Sequence, residues 1–290
     1  MTPNRRFAAE FAASRIAVAG LVLLALIVLA ALLAPWISPQ NPYDLAQLDV
    51  MDSRLPPGAQ SADGKSTYWL GTDDQGRDML SAILYGLRTS VAVGLASTAL
   101  ALAIGVSLGL AAAWFRGWLD ALLMRFADLQ LSFPSILIAL VLLAVLGQGL
   151  DKIIVALVAV QWAYYARTAR AAALVERRKE YIEAATSLAL SSGRIIFRHL
   201  LPNCLPPLLV LAAVQVAAAI TLEATLSFLG LGLPITEPSL GLLISNGFTY
   251  LLSGHYWISF FPGIALLAAV VGINLVADRV RDILDPHRRR

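Results

Sequence analysis

Charged residues are scarce in this chain of 290 residues: Asp, Glu, Lys and Arg make up 14% of it, and hydrophobic residues 58%. Soluble domains carry about 25% charged residues. A large soluble core would explain part of this imbalance, but not uncharged runs that are long enough to cross a bilayer. The single cysteine, Cys204, excludes an internal disulfide, and we predict that it is an inert packing residue near the cytoplasmic face.

Residues for catalysis and metal binding are also lacking. The three histidines, His199, His255 and His287, fall in or beside three different connections, and no cluster of His, Cys and Asp has metal-ligand spacing. Residues 58–66, GAQSADGKS, resemble a phosphate-binding loop, but five residues instead of four separate the glycines, and Pro-Pro precedes them. We therefore predict no catalysis and no bound metal or nucleotide on this chain, so energy for uphill transport would come from a partner.

Long apolar runs dominate what is present. A helix needs about 20 apolar residues to cross roughly 30 Å of hydrocarbon, and in lipid a helix satisfies its own backbone hydrogen bonds. We predict an all-α integral membrane protein with six transmembrane helices. The predicted spans are 16–37, 90–115, 129–150, 153–166 with a continuation towards 173, 205–233 and 257–277.

The first span has two interpretations. Arg5, Arg6 and Arg15 precede it, as basic residues precede a cleaved signal peptide. However, its apolar run exceeds the roughly 7–15 residues of a signal core, and no clear A-x-A site follows. We therefore predict an uncleaved first helix.

Lys and Arg concentrate in alternate connections, which identifies the cytoplasmic side. Basic residues precede span one, lie between spans two and three and between spans four and five, and follow span six. The segment after span three has only Lys152, and the segment after span five has none. Both termini are therefore predicted to be cytoplasmic, and the net charge of +3 reflects this bias and not nucleic-acid binding.

The connection between the first two spans is long and rich in Asp, Pro and Gly, which predicts an irregular external lobe. Asp73, Asp74 and Asp78 miss the spacing of a calcium loop and are predicted to lie in a solvated turn. The predicted organisation is a cytoplasmic segment 1–15, a first helix 16–37, an external loop 38–88, a five-helix core 89–277 with a cytoplasmic loop at about 176–203, and a cytoplasmic tail 278–290.

Residues 181–203, YIEAATSLALSSGRIIFRHLLPN, gather charges between two apolar parts of the chain. Ile182, Ala185 and Ala189 share one side of a helix over 181–190, Ser191-Ser192-Gly193 interrupts it, and 194–201 forms a second short helix. One interpretation is an amphipathic loop lying on lipid headgroups. The other is a docking element for a cytoplasmic motor, which would supply the missing energy source.

Within this stretch, Glu183-Ala184-Ala185 and the run RHLLPN at 198–203 stand at the spacing of the EAA loop. The chain resembles the inner-membrane permease subunits of binding-protein-dependent ABC importers of the peptide/nickel group. Ala189 occupies the position of the motif glycine. Because alanine resists the left-handed backbone that glycine permits, we expect the bend at 191–193 instead.

Further motifs of the same group extend the resemblance over nearly the whole chain. They are LGTDxxGRD at 70–78, SFLGLG at 227–232 and RDxLDP at 281–286, whereas Leu240 replaces the usual tryptophan of P-x-W-G. The resemblance implies the type I ABC importer permease fold in a bacterial inner membrane. It implies a second, different permease subunit, two subunits that bind ATP and Mg²⁺, and an extracytoplasmic binding protein, with no nucleic acid.

The resemblance also implies residue roles. Glu183, Ala184, Ala185 and Ala189 would contact the ATPase. Arg198, His199 and Pro202 would belong to the same coupling element. The external motif would use the following residues of the loop before span two: Gly71, Asp73, Gly76, Arg77 and Asp78.

Three polar residues inside spans remain open in role. Glu223 is either a gate or pathway contact or the partner of a structural hydrogen bond, and Gln161 and Gln215 are candidates to line the path. An autonomous channel or secondary transporter is the alternative function, although the lack of charges in the spans argues against ion coupling. The substrate stays open between peptides, nickel chelates, glutathione and opine-like solutes.

Overall fold

The structure, a computed structural model, describes residues 3–284 and is mostly helical. The external lobe contains two short 3-10 turns and one antiparallel pair of two-residue strands. The elements are α1 Pro3–Ala12, α2 Arg15–Ile37, β1 Ala59–Gln60, β2 Thr67–Tyr68, α3 Met79–Phe115, α4 Gly117–Leu131, α5 Ser135–Leu146, α6 Leu150–Glu176, α7 Glu180–Ser187, α8 Ser192–Ile195, α9 Leu201–Phe228, α10 Leu240–Phe248 and α11 Trp257–Leu284.

The first and last predicted spans are confirmed as α2 and α11, both long and apolar enough to cross a membrane. Ser14 caps α2 by accepting a hydrogen bond from Ala17 N at 3.3 Å. The C-terminal segment predicted as a tail from 278 is still helical up to Leu284, and the rest of the closing motif, Asp285-Pro286, lies outside the described residues.

The helix α3 begins ten residues earlier than the predicted start of the core, so the external loop ends at Asp78 and not at residue 88. Asp78 starts the helix because its carboxylate accepts from the backbone N of Ser81 at 2.8 Å. With 37 residues, α3 is about 56 Å long.

The prediction of a single third span over 129–150 is wrong. The chain turns by 93° between α4 and α5. Pro134 is the reason, since its ring disfavours a helical conformation of the residue before it and it has no backbone N–H to continue the helix. The 12 residues of α5 cover only about 18 Å, too little to cross the hydrocarbon alone.

The fourth predicted span is the first part of α6, which continues to Glu176 as one helix. Asp151, Lys152, Arg167 and Arg170 lower its hydropathy. Within residues 3–284, four helices are long and apolar enough to span a membrane, or five if α4 and α5 count as one bent span, and α6 is not among them. The prediction of six spans is therefore not confirmed.

The helix that corresponds to the fifth predicted span begins and ends earlier than predicted. The helix starts at Ser192 in α8, passes through a π turn over Ile196–Leu200 and continues as α9 to Phe228. The predicted second short helix over 194–201 is therefore the beginning of this long helix. Pro202, Pro206 and Pro207 lack the N–H groups of a regular helix, which accounts for an irregular turn at its start.

The helices pack closely around α3. Gly105 and Gly109 let α6 approach, since a Cβ on Gly105 would lie 2.6 Å from Tyr165 Cβ and one on Gly109 would lie 2.9 Å from Ala169 Cβ. The largest buried cluster joins α3, α6, α7 and α9. It contains Cys204, which is buried as predicted.

Candidate functional site: a cytoplasmic coupling segment

Residues 176–203, which hold the residues predicted to couple the chain to an ATPase, are called the coupling segment here; they begin where α6 ends. The carboxylate of Glu176 binds Lys179 Nζ at 2.5 Å and accepts from the Tyr181 hydroxyl at 2.7 Å. Burial and the nearby Glu176 raise the pKa of Tyr181 to about 12, so this hydroxyl stays a donor at physiological pH. These contacts close a three-residue turn and direct α7 back against the helix bundle.

The helix α7 has two different faces. Ile182 and Ala185 are only 2% and 5% exposed and pack in the cluster formed by α3, α6 and α9. Glu183 and Ala184 are exposed on the other side. The predicted face of small residues is therefore the inner one, and Ala185 is not accessible to a partner in this structure.

Ala189 forms the bend of the coupling segment, which corrects the expected bend at 191–193. Its φ is +54°, in the left-handed region, whereas Gly193 has no positive φ and lies inside α8. The N–H of Leu190 donates to Ala185 O at 3.2 Å and that of Ala189 to Thr186 O at 2.9 Å. A left-handed residue after the last turn is a common way to end a helix, and here it is imposed on an alanine.

The remaining predicted residues of the segment lie at the start of the long helix. Arg198 and Pro202 are exposed, and His199 is half-buried with its carbonyl accepting from Asn203 Nδ2 at 2.7 Å. Beneath them Ile195 and Leu200 pack in the same cluster as Ile182. The two parts of the segment therefore share one apolar base.

Two exposed apolar residues of this segment were not singled out from the sequence. Leu188 is 75% exposed and Phe197 is 68% exposed. Leu188 follows Ser187 and Phe197 precedes Arg198, so each lies beside a polar or charged residue. The sequence could have revealed them, because large apolar side chains are unusual in a connection that carries many charges.

Glu223 is completely buried and lies among three serines, two of which donate hydrogen bonds to its carboxyl group. Ser90 Oγ in α3 donates to Oε2 at 2.8 Å, and Ser227 Oγ in α9 donates to Oε1 at 2.9 Å. Ser239, whose Oγ caps α10 by accepting from Leu242 N at 3.1 Å, lies close to the same carboxyl group. The arrangement joins α3, α9 and the start of α10.

Gln161 and Gln215 lie together in the interior and are both buried. Gln161 Nε2 donates to the backbone carbonyl of Gln215 at 3.2 Å, and Thr98 Oγ1 lies 3.4 Å from Gln161 Oε1. These contacts connect α3, α6 and α9 through polar groups in an apolar region.

The external motif forms a compact turn. Gly71 and Gly76 have φ values of +80° and +76°, and a Cβ on Gly71 would lie 2.6 Å from Leu55 O. Asp73 Oδ1 accepts from Gln75 N at 2.8 Å and from Arg77 N at 2.9 Å. Asp73 and Asp78 are buried, so the prediction of a solvated turn is wrong for these two residues. Burial raises the pKa of Asp73 to about 6.

Arg77 connects this turn to the loop before α10. It is fully buried, and its Nη2 donates to Ile235 O at 2.9 Å and to Gln75 Oε1 at 2.6 Å. Residues 58–66, which resemble a phosphate-binding loop, lie elsewhere in the lobe and form β1 and its connection to β2. They therefore do not open a helix, as a phosphate loop would.

Long apolar helices with buried polar contacts between them define the class of this molecule as a polytopic membrane protein. Residues 102–290 match the family described as "Binding-protein-dependent transport system inner membrane component". Residues 2–57 match "N-terminal TM domain of oligopeptide transport permease C". The chain belongs to the family of binding-protein-dependent transport system inner membrane components, which confirms the resemblance.

Relatives match almost the whole chain. A Brucella suis protein, provisionally named as a peptide transport system permease protein, is 43% identical over 267 residues, which are 92% of this chain and 86% of the relative. The di/tripeptide transport system permease protein DppC of Pseudomonas aeruginosa is 36% identical, with 98% of this chain and 92% of the relative covered. The glutathione transport system permease protein GsiD of Pectobacterium atrosepticum is also 36% identical, with 98% and 91% covered.

A solved structure of the MetNI methionine ABC transporter in an inward-facing conformation shares the fold. It is 22% identical with a TM-score of 0.57, and the match covers 71% of this chain and 98% of that chain. This likeness concerns the fold alone, and it confirms the expected kind of permease fold.

Proposed function

We propose that this chain is the non-catalytic permease subunit of an ATP-driven importer and forms half of a path for peptides or a similar small solute. Family membership over nearly the whole chain is the observation that carries the proposal. Relatives named for di/tripeptide and glutathione transport support a peptide-like cargo. Six spans and cytoplasmic termini follow if α4–α5 and α6 each cross the membrane, with the external lobe between α2 and α3.

The proposed partners are a second, different permease subunit, two ATP-binding subunits and an extracytoplasmic binding protein, in a bacterial inner membrane. ATP and Mg²⁺ would be held by the ATP-binding subunits, where hydrolysis occurs. The exposed face of α7 with Glu183 and Ala184, and the nearby Ala189, would contact these subunits. Arg198, His199 and Pro202 would support that contact from the start of the long helix.

We assign the buried polar residues to positioning and not to solute contact. Glu223 is enclosed by hydroxyl groups of its own chain, and Gln161 is bonded to the backbone of α9. Leaving such groups unpaired in an apolar interior is costly, so each contact favours one arrangement of three elements. A change of arrangement during transport would open or close the path through them.

The experiment is reconstitution. The chain is purified in mild detergent with its co-expressed partners, and ATP-dependent uptake of a labelled dipeptide is measured in proteoliposomes. We expect two ATPases and a second permease to co-elute, and uptake only with all components and ATP present. Uptake or ATP hydrolysis by the isolated chain would contradict the proposal and favour an autonomous transporter or an enzyme.

A further inference from the structure

The C-terminal end of α3, which the proposed function places on the cytoplasmic side, is capped by the arginine that follows α6. Arg177 Nη1 donates to Ala113 O and to Trp114 O, both at 2.8 Å. These carbonyls belong to the last turn of α3, where an α-helix has no donors of its own to offer. The guanidinium also lies 5.1 Å from the centroid of the Trp114 ring and places a positive charge at the negative end of the helix dipole.

Arg177 lies between α6 and α7, so the cap also links α7 to the end of α3. Arg177 follows α6 directly and precedes α7 by two residues. Ile182 of α7 packs in the same buried cluster as Leu110 and Ala113 of α3. The end of α3 is thus joined to α7 in two ways, by the hydrogen bonds of Arg177 just before α7 and by the apolar packing of Ile182.

The other end of α3 is attached to the external lobe. Asp78 caps its first turn, and Met79 N donates to Gly71 O at 3.0 Å. Arg77, one residue before the cap, bonds to Ile235 O in the loop that precedes α10. One uninterrupted helix therefore extends from α7 on one side to the external lobe and this loop on the other.

We propose that Arg177 is a positioning residue for coupling: it makes α7 and α3 move as one body, so that displacement of α7 reaches the external end of the permease. This inference rests on the proposed function. Separating α7 and the turn before it from α3 requires breaking two charge-assisted hydrogen bonds of Arg177, its contact with Trp114 and the apolar packing of Ile182. Without the cap, only apolar packing attaches α7 to α3, so α3 follows a displacement of α7 less completely.

The test compares Arg177→Ala, Arg177→Lys and Arg178→Ala in the complete reconstituted transporter, with solute taken up per ATP hydrolysed as the readout. We expect R177A to lower this ratio about tenfold, while ATPase activity and co-purification change less than about twofold. R177K keeps most of the ratio, because an ammonium group can donate to the same carbonyls. The neighbouring Arg178 is exposed, and R178A keeps the wild-type ratio.

A wild-type ratio in R177A overturns the positioning role, and so does an equal loss in R178A, which would trace the effect to charge alone. A loss of co-purification as large as the loss of the ratio, with no rescue by R177K, also overturns it and shows a purely structural role. If R177A does not accumulate, Arg177→Gln replaces it, since the amide fills part of the space without the charge.

A second readout needs only the isolated chain and separates the inference from the proposed function. Hydrogen exchange is followed by mass spectrometry in detergent. We expect R177A to accelerate exchange in 110–116 and 180–187 and to leave α2 unchanged. Unchanged exchange at both places overturns the cap. The proposed function itself fails if the wild-type chain, assembled with its partners, shows no ATP-dependent uptake; that result does not depend on the exchange measurement.

Discussion

Ser90 in α3 donates a hydrogen bond to Glu223 in α9, with 2.8 Å between the serine Oγ and the carboxyl Oε2. The two residues are 133 positions apart in the chain, and both are buried. The bond can therefore form only when the two long helices pack correctly against each other.

Removing the Ser90 hydroxyl should destabilise this packing. We expect Ser90→Ala to lower the free energy of unfolding by about 1–3 kcal/mol, because a buried acceptor loses its donor. Thermal unfolding of the purified chain measures the effect. Ser107→Ala is the matched control, since Ser107 is exposed in the same helix and bonds only to Ala103 O of its own turn among the described contacts. An equal loss of unfolding free energy in both variants would show that the hydrogen bond to Glu223 stabilises the protein no more than a hydrogen bond at an exposed position.

Replacing Ala189 by glycine should stabilise the coupling segment. The φ of +54° is unfavourable for alanine and permitted for glycine, so we expect Ala189→Gly to gain about 1 kcal/mol. Ala184→Gly is the opposite control, because Ala184 lies within α7, where glycine costs about 1 kcal/mol. Thermal unfolding should shift in opposite directions for the two variants. A loss of stability in both would show that the bend at Ala189 is not strained.

Reversing the charge of Glu183 should disrupt the proposed ATPase contact without affecting the fold. Glu183 is exposed on α7, so we expect Glu183→Lys to reduce co-purification of the ATPases at least about tenfold and to leave membrane insertion and thermal unfolding unchanged. Asp151→Lys makes the same charge reversal at the far end of α6 and should leave the association intact. Unchanged ATPase association and uptake in Glu183→Lys would contradict the assigned coupling surface.

The external lobe should lose stability as the pH rises from about 4 to about 6. Burial raises the pKa of Asp73 from 3.8 to about 6, so in this window the folded lobe holds a proton that the unfolded chain releases. The stabilisation is complete below pH 3.8 and is lost as the pH rises through about 6; at most it amounts to about 3 kcal/mol.

Asp73→Asn tests this dependence. Its side-chain oxygen can still accept from the backbone N–H groups of Gln75 and Arg77, but it does not titrate. We expect the difference in unfolding temperature between wild type and variant to change across pH 4–7. Asp63→Asn is the control, because hydrogen bonding to Ser61 and Lys65 lowers the pKa of Asp63 to about 2, outside this window. Parallel pH profiles for wild type and Asp73→Asn would refute the shift.

The helix boundaries show where sequence reasoning succeeds. Runs of apolar residues located α2 and α11, whereas the separate short helix predicted over 194–201 is the beginning of the long helix that starts at Ser192. The break at Pro134 was visible as a residue, but the apolar run continues on both sides of it, so hydropathy alone joined two helices that meet at 93°. The early start of α3 was encoded by Asp78 and Ser81, a capping pair inside a segment whose overall composition predicted a loop.

At Ala189 the prediction from the sequence fails for a different reason. The preference of alanine predicted a regular helix there, but Ile182 and Ala185 must face the cluster below while the chain turns into α8. That requirement places the bend after α7 at Ala189 and outweighs the local preference of about 1 kcal/mol.

The sequence by itself determined that this chain enters a membrane and which family it belongs to, because transfer to lipid depends on runs of neighbouring residues and motifs depend on local spacing. Only the tertiary structure decided that Glu223 meets Ser90 and that Arg177 caps α3, partners 133 and 64 positions away. Such pairs form when packed helices bring distant groups within 3 Å, and the strength of a hydrogen bond falls so steeply with distance and angle that no local pattern specifies it.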